Sequence, residues 1–315
     1  MKRILITGGL GFIGTNLAKR LSGHFELTIL DNFSVGDANL AVVEPLARII
    51  KGDISEASVV ADACAEQDCI VHLAAMGSVI KSIQKPISGC KTNVIGTLNI
   101  IEGAVSAGVQ RLIFASTGGA LMGDAVPPVN EDSVPRPISP YGASKLACEA
   151  YLSAASVCWG LPTTVLRFGN VYGEYSLHKP GLINQIFSSL ISGLPITVYG
   201  DGRATRDFIH VSDITRAIHL ALLRSPHTFN TYHISSGVET SVSALLDLSQ
   251  HISDMSLTIK TSDRRAGEVE RNFSSFTLAS DQLGFYPKVS LEEGLSKLWD
   301  WYKTQSLVTA QNQPH

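Results

Sequence analysis

The sequence predicts a doubly wound α/β fold, a parallel sheet with helices on both faces, joined to a smaller C-terminal substrate lobe. Three observations predict it. Short apolar runs alternate with segments of helical period through the first half of the chain. A glycine-rich turn follows the first of those runs. After Gly173 the alternation stops, which sets off the second part of the chain.

Arg3 to Thr7 is an apolar run of the kind buried on both faces of a parallel sheet. Gly8, Gly11 and Gly14 then form G-x-x-G-x-x-G, with Phe12 and Ile13 between, ahead of the helical stretch Thr15 to Leu21. Such a turn lets backbone approach a pyrophosphate, and the helix N-terminus offers it free N–H groups. The next strand, Glu26 to Leu30, ends at Asp31 and Asn32. A carboxylate there suits a ribose diol and repels a 2′-phosphate, so NAD is favoured over NADP. Arg48 to Ile54 ends in Asp53, placed for an adenine edge.

Cys69 to Ala75 is a strand ending in Leu73, Ala74 and Ala75, small enough to admit a ligand against the backbone; His72 within it reads as packed. Pro86 to Gly108 is expected as one long helix, with the Asn93 amide tying it to the sheet. The strand Arg111 to Ala115 ends in Ser116, Thr117, Gly118 and Gly119, and its hydroxyls are expected in the ligand crevice. Asp124 to Pro137 is a proline-rich loop, Tyr141 to Trp159 a helix, and Thr163 to Phe168 a strand.

The lobe begins with a helix from Gly181 to Gly193 and a strand from Ile196 to Tyr199. Asn230 to Ser235 is expected to return to the main sheet, and Leu291 to Tyr302 to form an amphipathic helix. The domains expected are 1–168 for the dinucleotide, with returning segments near 207–240, then 169–206 and 241–304 for the substrate, and a frayed tail at 305–315.

The 315 residues are 44% hydrophobic and 17% charged, with a net charge of −3, the balance of an ordinary globular protein without a nucleic-acid footprint. No apolar run approaches the ~20 residues of a membrane span, and no signal-peptide pattern appears. The five cysteines have no metal or disulfide spacing, so buried free thiols, no metal and a cytoplasmic location are expected.

The chemistry centres on Ser139-Pro140-Tyr141-Gly142-Ala143-Ser144-Lys145. Tyr141 and Lys145 stand four apart, on one face of a helix that Pro140 can begin. The spacing alone is common on helices. A tyrosine titrates near ~10, and a cation beside it favours the phenolate. Lys145 is therefore expected to lower the pKa of Tyr141 and make it a base. Arg203, Arg206, Arg264, Arg265 and Arg271 suit a diphosphate through forked hydrogen bonds.

From Lys2 to Tyr302 the chain resembles the extended short-chain dehydrogenase/reductases, in particular the NAD-dependent nucleotide-sugar epimerases and dehydratases. The resemblance is carried by Thr7 to Gly14, Asp31-Asn32, Gly52-Asp53-Ile54, His72 to Ala75, Ala115-Ser116-Thr117, Tyr141 to Lys145, Leu166 to Gly173 and Arg206 to Val211. It implies a Rossmann domain with bound NAD, held by Gly8, Gly11, Phe12, Ile13, Gly14, Asp31, Asn32, Asp53, Ile54, Leu73, Ala74, Ala75, Asn93, Tyr141, Lys145 and Phe168. It implies a UDP- or TDP-sugar held by Ser78, Thr117, Asn170, Val198, Tyr199, Arg206, Arg265, Glu268 and Asn272. A homodimer through helices 86–108 and 141–159 and a place in polysaccharide biosynthesis go with it.

Relatives that dehydrate the sugar carry Asp-Glu directly after the threonine, and decarboxylases a glutamate nearby. Gly118 and Gly119 stand there instead, which implies an epimerase inverting C4 through a transient 4-keto sugar. Tyr141 is then the base, Lys145 its partner, Thr117 the hydrogen-bond donor to the reacting oxygen and Ser116 a second candidate. Met122 departs from the tyrosine usual before Gly123, and bears on sugar choice. Rival readings are a nucleotide-sugar 4-reductase, a UDP-uronate epimerase or decarboxylase, and a non-catalytic NAD-binding regulator. Asn272, smaller than the tyrosine that excludes N-acetyl sugars in such enzymes, implies that UDP-N-acetylhexosamines are accepted too.

Overall fold

The computed structural model describes residues 2–179, 181–224, 228–264, 267 and 269–311, with side chains described as far as 305. Seven parallel strands form the central sheet: β1 (Arg3–Thr7), β2 (Glu26–Asp31), β3 (Arg48–Lys51), β4 (Cys69–His72), β5 (Arg111–Thr117), β6 (Thr163–Phe168) and β7 (Phe229–Ile234). Their spatial order is β7-β6-β5-β4-β1-β2-β3. The order reverses between β1 and β4, which pair Ile4 with Cys69 through Thr7 with His72. In such sheets the crevice beyond the strand ends at that reversal takes the ligand.

Alternation along β1 splits the core in two. Ile4 and Ile6 pack on one face with the helices Phe12–Leu21 and Val211–Leu223. Leu5 packs on the other with Ala57–Cys64, Gly96–Ser106 and Pro140–Cys158. Both faces are covered, so the central strands β1, β4 and β5 are buried along most of their length, while the edge strand β3 is half-exposed. β7 pairs with β6 from Phe229 opposite Thr163 to Ile234 opposite Phe168, so the chain does return to the sheet.

A third apolar cluster joins the helices Leu182–Ser192, Val242–Ser253 and Leu291–Gln311, with Phe187 stacked against Trp299. Short strands pair outside the main sheet: Asn170–Tyr172 with Phe208–His210, Thr205–Arg206 with Thr240–Ser241, and Ile196–Tyr199 with Ile259–Ser262. The last strand lacks an apolar signature and all four residues are exposed.

The helix expected over 86–108 is one unbroken run from Pro86 to Ser106, with a π turn at Lys91–Ile95 inside it. The Asn93 carbonyl explains the π turn, because it accepts from the Thr97 hydroxyl at 2.6 Å and from Cys148 Sγ at 3.1 Å. The helix from Leu291 continues to Gln311, into the segment expected as a frayed tail. All five cysteines are free, but Cys90 and Cys158 are exposed. Among the described residues no helix is long and apolar enough to cross a membrane.

Candidate active site

The glycine turn closes the reversal point. Gly8 has φ +70°, and a Cβ there would lie 2.8 Å from the Ala74 backbone. At Gly14 a Cβ would lie 2.5 Å from the Gly8 carbonyl oxygen. The turn, β1 and the end of β4 therefore meet backbone to backbone, with Ala74 donating its N–H to Thr7 Oγ1. The helix Phe12–Leu21 has no side-chain cap and no acid in its first turn. Its first N–H groups face outward with only water or a ligand to accept from them.

Asp31 is buried at the end of β2. Its Oδ2 accepts from the Leu10 N–H at 3.0 Å and its Oδ1 from the Phe33 N–H at 2.8 Å. Both bonds fix the carboxylate, and each oxygen keeps a lone pair. Asp53 accepts from Asn32 Nδ2 at 2.7 Å and from the Ser55 N–H at 2.8 Å. Burial pushes its carboxyl up, but those hydrogen bonds and Lys91 hold it below the usual range on balance.

Several cofactor candidates present backbone only. Phe12, Ile54 and Phe168 have side chains inside the two sheet cores. Asn93 braces the loop after β4, the tie of helix to sheet expected of its amide. Its Oδ1 accepts from the Met76 N–H at 2.8 Å, and its Nδ2 donates to the Met76 carbonyl and, at 2.8 Å, to Ser144 Oγ. Both amide protons are thus used inside the protein. Leu73, Ala74 and Ala75 are half-buried along the crevice floor. His72 is packed as expected, between Thr7 Oγ1 at 2.7 Å and Thr97 Oγ1 at 3.1 Å, and burial pushes it down to about 3.

The helix Pro140–Cys158 starts on Ser139, whose Oγ accepts from the Gly142 N–H. It carries Lys145 to the end of β5, with Tyr141, whose N–H donates to Ser82 Oγ at 3.1 Å, one turn before it. Lys145 Nζ donates to the Ala115 carbonyl at 2.8 Å and lies 4.4 Å from the Phe114 ring centroid. The expected electrostatics are reversed among the protein's own groups. Burial dominates, pushing Tyr141 up to about 12 and Lys145 down to about 8. The cation is weakened by the same dry surroundings that hold the phenol protonated.

Ser116 and Thr117 part company. Ser116 is buried and its Oγ donates to Glu149 Oε1 at 2.5 Å, so it is turned away from the crevice. Glu149 in turn accepts from Arg167 Nε at 3.2 Å and Nη2 at 2.7 Å. Thr117, next in the strand, is half-buried on the opposite side. Gly118 and Gly119 follow under a roof of three side chains. A Cβ at Gly118 would lie 3.3 Å from His233 Nδ1 and from Ser274 Oγ, and one at Gly119 would lie 3.1 Å from the Asn272 amide. Asn272 is buried there. Asp207 fixes the roof, accepting from the N–H groups of Ser236, Gly237 and Ser274.

The remaining substrate candidates are spread through the lobe. Asn170 is exposed at the start of its strand. Val198 points into the third core, so only its backbone can meet a ligand, and Tyr199 is half-buried beside it. Arg206 donates to the carbonyls of Thr205 at 2.7 Å and Glu270 at 3.4 Å. Ser78 caps the helix Val79–Gln84, accepting from the Lys81 N–H. Arg265 and Glu268 lie outside the described residues. Arg271 and Arg264 pair with Glu239 and Glu270, and Arg203 with Asp201, on the surface. Sequence reasoning missed Glu149, Arg167 and His233, which stand in apolar segments where nothing but a charge in a buried run marks them.

Residues 4–234 match the model of the NAD dependent epimerase/dehydratase family. The chain belongs to that family. Within the epimerase/dehydratase family it is 32% identical to a putative UDP-glucose 4-epimerase of Methanocaldococcus jannaschii, over 96% of this chain and 99% of that one. It is 34% identical to a dTDP-glucose 4,6-dehydratase of Mycobacterium tuberculosis, over 96% and 93%. A solved UDP-glucose 4-epimerase of Thermotoga maritima with UDP-glucose superposes with a TM-score of 0.92 at 32% identity, covering 96% of this chain and 99% of that one. The family's NAD fits the residues present: a glycine cradle that a Cβ would fill, an uncapped helix start and a fixed Asp31 carboxylate.

Proposed function

We propose that the protein is an NAD-dependent isomerase that inverts C4 of a UDP-sugar. The observation that carries this reading is the roof over Gly118 and Gly119. An epimerase and a dehydratase of this family share the tyrosine and lysine, and dehydration needs an additional acid and base. At the two positions after Thr117 even a Cβ would press on His233, Ser274 or Asn272. A side chain at either position would need these neighbours to shift by a few tenths of an ångström, and with glycine at both no acid or base follows Thr117, which supports a single reversible oxidation.

Bound NAD supplies reversible hydride transfer at the sugar C4. Gly8 to Gly14 and the first N–H groups of the helix Phe12–Leu21 hold its pyrophosphate, Asp31 and Asn32 its adenosine ribose, and Asp53 with the Ile54 backbone its adenine. Tyr141 takes the proton of the 4-hydroxyl and later gives it back. Thr117 donates a hydrogen bond to the same oxygen. Lys145, one turn from Tyr141, has donors left after Ala115 for the cofactor ribose. Ser116 acts from beneath, through Glu149. Asn170, Tyr199, Arg206, Arg265 and Glu268 hold the nucleotide, and Asn272 meets the sugar from the roof, small enough to leave room for an acetamido group. Residues 1–168 with the return near 207–240 form the dinucleotide domain, and 169–206 with 241–304 the substrate lobe.

Exposed Ile83, Ile87, Ile95, Tyr151, Val157 and Trp159 support a homodimer through helices 86–108 and 141–159. The reading is tested by cofactor accounting. Purified protein should release NAD on denaturation, and turnover should consume none. Release of NADP instead, or stoichiometric consumption of a nicotinamide cofactor with product, would favour the 4-reductase.

A further inference from the structure

The segment Glu174 to Lys179 leaves the lobe and lies against the first helix of the sheet domain. Asn16 Nδ2 donates to the carbonyls of Phe12 and Glu174, both at 2.9 Å. Asn39 Nδ2 donates to the carbonyls of Leu10 at 3.1 Å and Tyr175 at 3.3 Å. Lys19 Nζ donates to the Tyr175 hydroxyl at 2.7 Å and sits over its ring. From the lobe side, Asn184 Nδ2 donates to the carbonyls of Ser176 and Lys179. The glycine turn and this segment are therefore held in one fixed relation.

That relation places a cation where the two halves of the site meet. Lys179 Nζ donates to the Val171 carbonyl at 2.6 Å and lies 5.3 Å from the Phe12 ring centroid. Phe12 opens the helix behind the glycine turn, and Val171 follows Asn170. The neighbouring His178 feels the charge of Asp31, so the segment reaches toward the ribose carboxylate. Lys179 is half-buried, and among the described residues no carboxylate lies within ion-pair distance of it. Burial pushes it down to about 8. An ammonium has three donors, and one is used. A sheltered cation without a counter-ion is costly, and an anion with free acceptors is its complement.

We propose that Lys179 binds a pyrophosphate group, between the glycine turn and Asn170. This rests on the functional reading above, which brings two pyrophosphates to the crevice, one in the dinucleotide and one in the nucleotide sugar. The contact is a point charge on phosphate oxygens, beside a glycine turn whose own pyrophosphate contacts are backbone N–H groups.

Two measurements test it. In Lys179→Met and Lys179→Gln, NAD dissociation (bound NAD per chain during dialysis) and UDP affinity (calorimetry at two salt concentrations) are compared with the wild type. One of the two should worsen about tenfold, the loss typical of one charge-assisted hydrogen bond, and the one that does names the source. Lys179→Arg should retain most of it. Folded neutral variants within about twofold of wild type on both counts would overturn the proposal. The second measurement needs no variant: reductive methylation of Lys179 in the wild type, followed by peptide mass spectrometry. NAD or UDP should slow it about tenfold, as an occupied donor requires; the same rate with both ligands would overturn the proposal. A wild type that holds no NAD and binds no UDP would overturn the functional reading, and this with it. A loaded wild type with an indifferent Lys179 would overturn this alone.

Discussion

Tyr141 is held as the protonated phenol in its own surroundings, because burial pushes it up to about 12. Its hydroxyl matters to the proton in flight and little to the grip on the nucleotide. Tyr141→Phe should therefore lower turnover by at least ~10²-fold, the low end for loss of a general acid–base group, with UDP affinity unchanged. Near-normal turnover would remove Tyr141 from that role. Two buried histidines set a different property. Burial pushes His72 and His233 down to about 3 in the folded chain, against ~6.5 when unfolded. The unfolded chain then binds protons that the folded chain refuses. Stability is fully present above pH ~6.5 and is lost as the pH falls toward 3, by ~1.4 kcal/mol per pH unit for each histidine. His72 has two hydroxyl partners, whereas neither ring nitrogen of His233 has one. His233→Gln should flatten the loss between pH 6.5 and 5, read by urea unfolding at several pH values. An unchanged slope would mean that His233 does not carry it.

At the scale of elements, the helix Pro140–Cys158 is held to the sheet by apolar packing, by Lys145 on the Ala115 carbonyl and by a buried ion pair. Glu149 meets Arg167 on β6 and Ser116 on β5, and all three are buried. The clamp lies one turn beyond Lys145, so it sets the height of the helix that carries Tyr141. Glu149→Ala leaves a buried guanidinium unpaired and should cost ~3–5 kcal/mol in unfolding free energy. Glu149→Gln should cost less, since it can still accept from Arg167. A loss under ~1 kcal/mol in the alanine variant would show that water takes over the arginine. Such clamps are poorly legible in a sequence. Glu149 and Arg167 look like two charges in helix and strand patterns, and only register brings them together. The π turn at Lys91–Ile95 was hidden for a similar reason: its cause is a contact with Cys148, far along the chain. Strands such as β1 and β4, by contrast, are legible because burial on both faces writes a short apolar run. The strand Ile259–Ser262 carries no such run and escaped.

Over the whole molecule, the cofactor half of the site was readable and the substrate half much less so. Glycine spacing and the acid at the end of β2 are local signals, a few residues long, imposed by backbone approach and charge. The substrate side gathers short strands from residues 170–172, 196–199 and 205–206, paired with 208–210, 259–262 and 240–241 from later in the chain, so no stretch announces the pocket. Arg206 spends two hydrogen bonds on carbonyls, a geometry that spacing does not reveal. Asn272 was named from a motif, and its place over Gly119 came only with the fold. The central claim is inversion at C4, and it is tested most directly by proton NMR of the purified protein with UDP-glucose, UDP-N-acetylglucosamine and UDP-glucuronate, without added cofactor. The proposed function predicts that at least one sugar, the acetylated one among those admitted, comes to equilibrium with its C4 epimer and no keto sugar accumulates. A 4-keto-6-deoxy product, loss of carbon dioxide, or no change in any of the three sugars would contradict it.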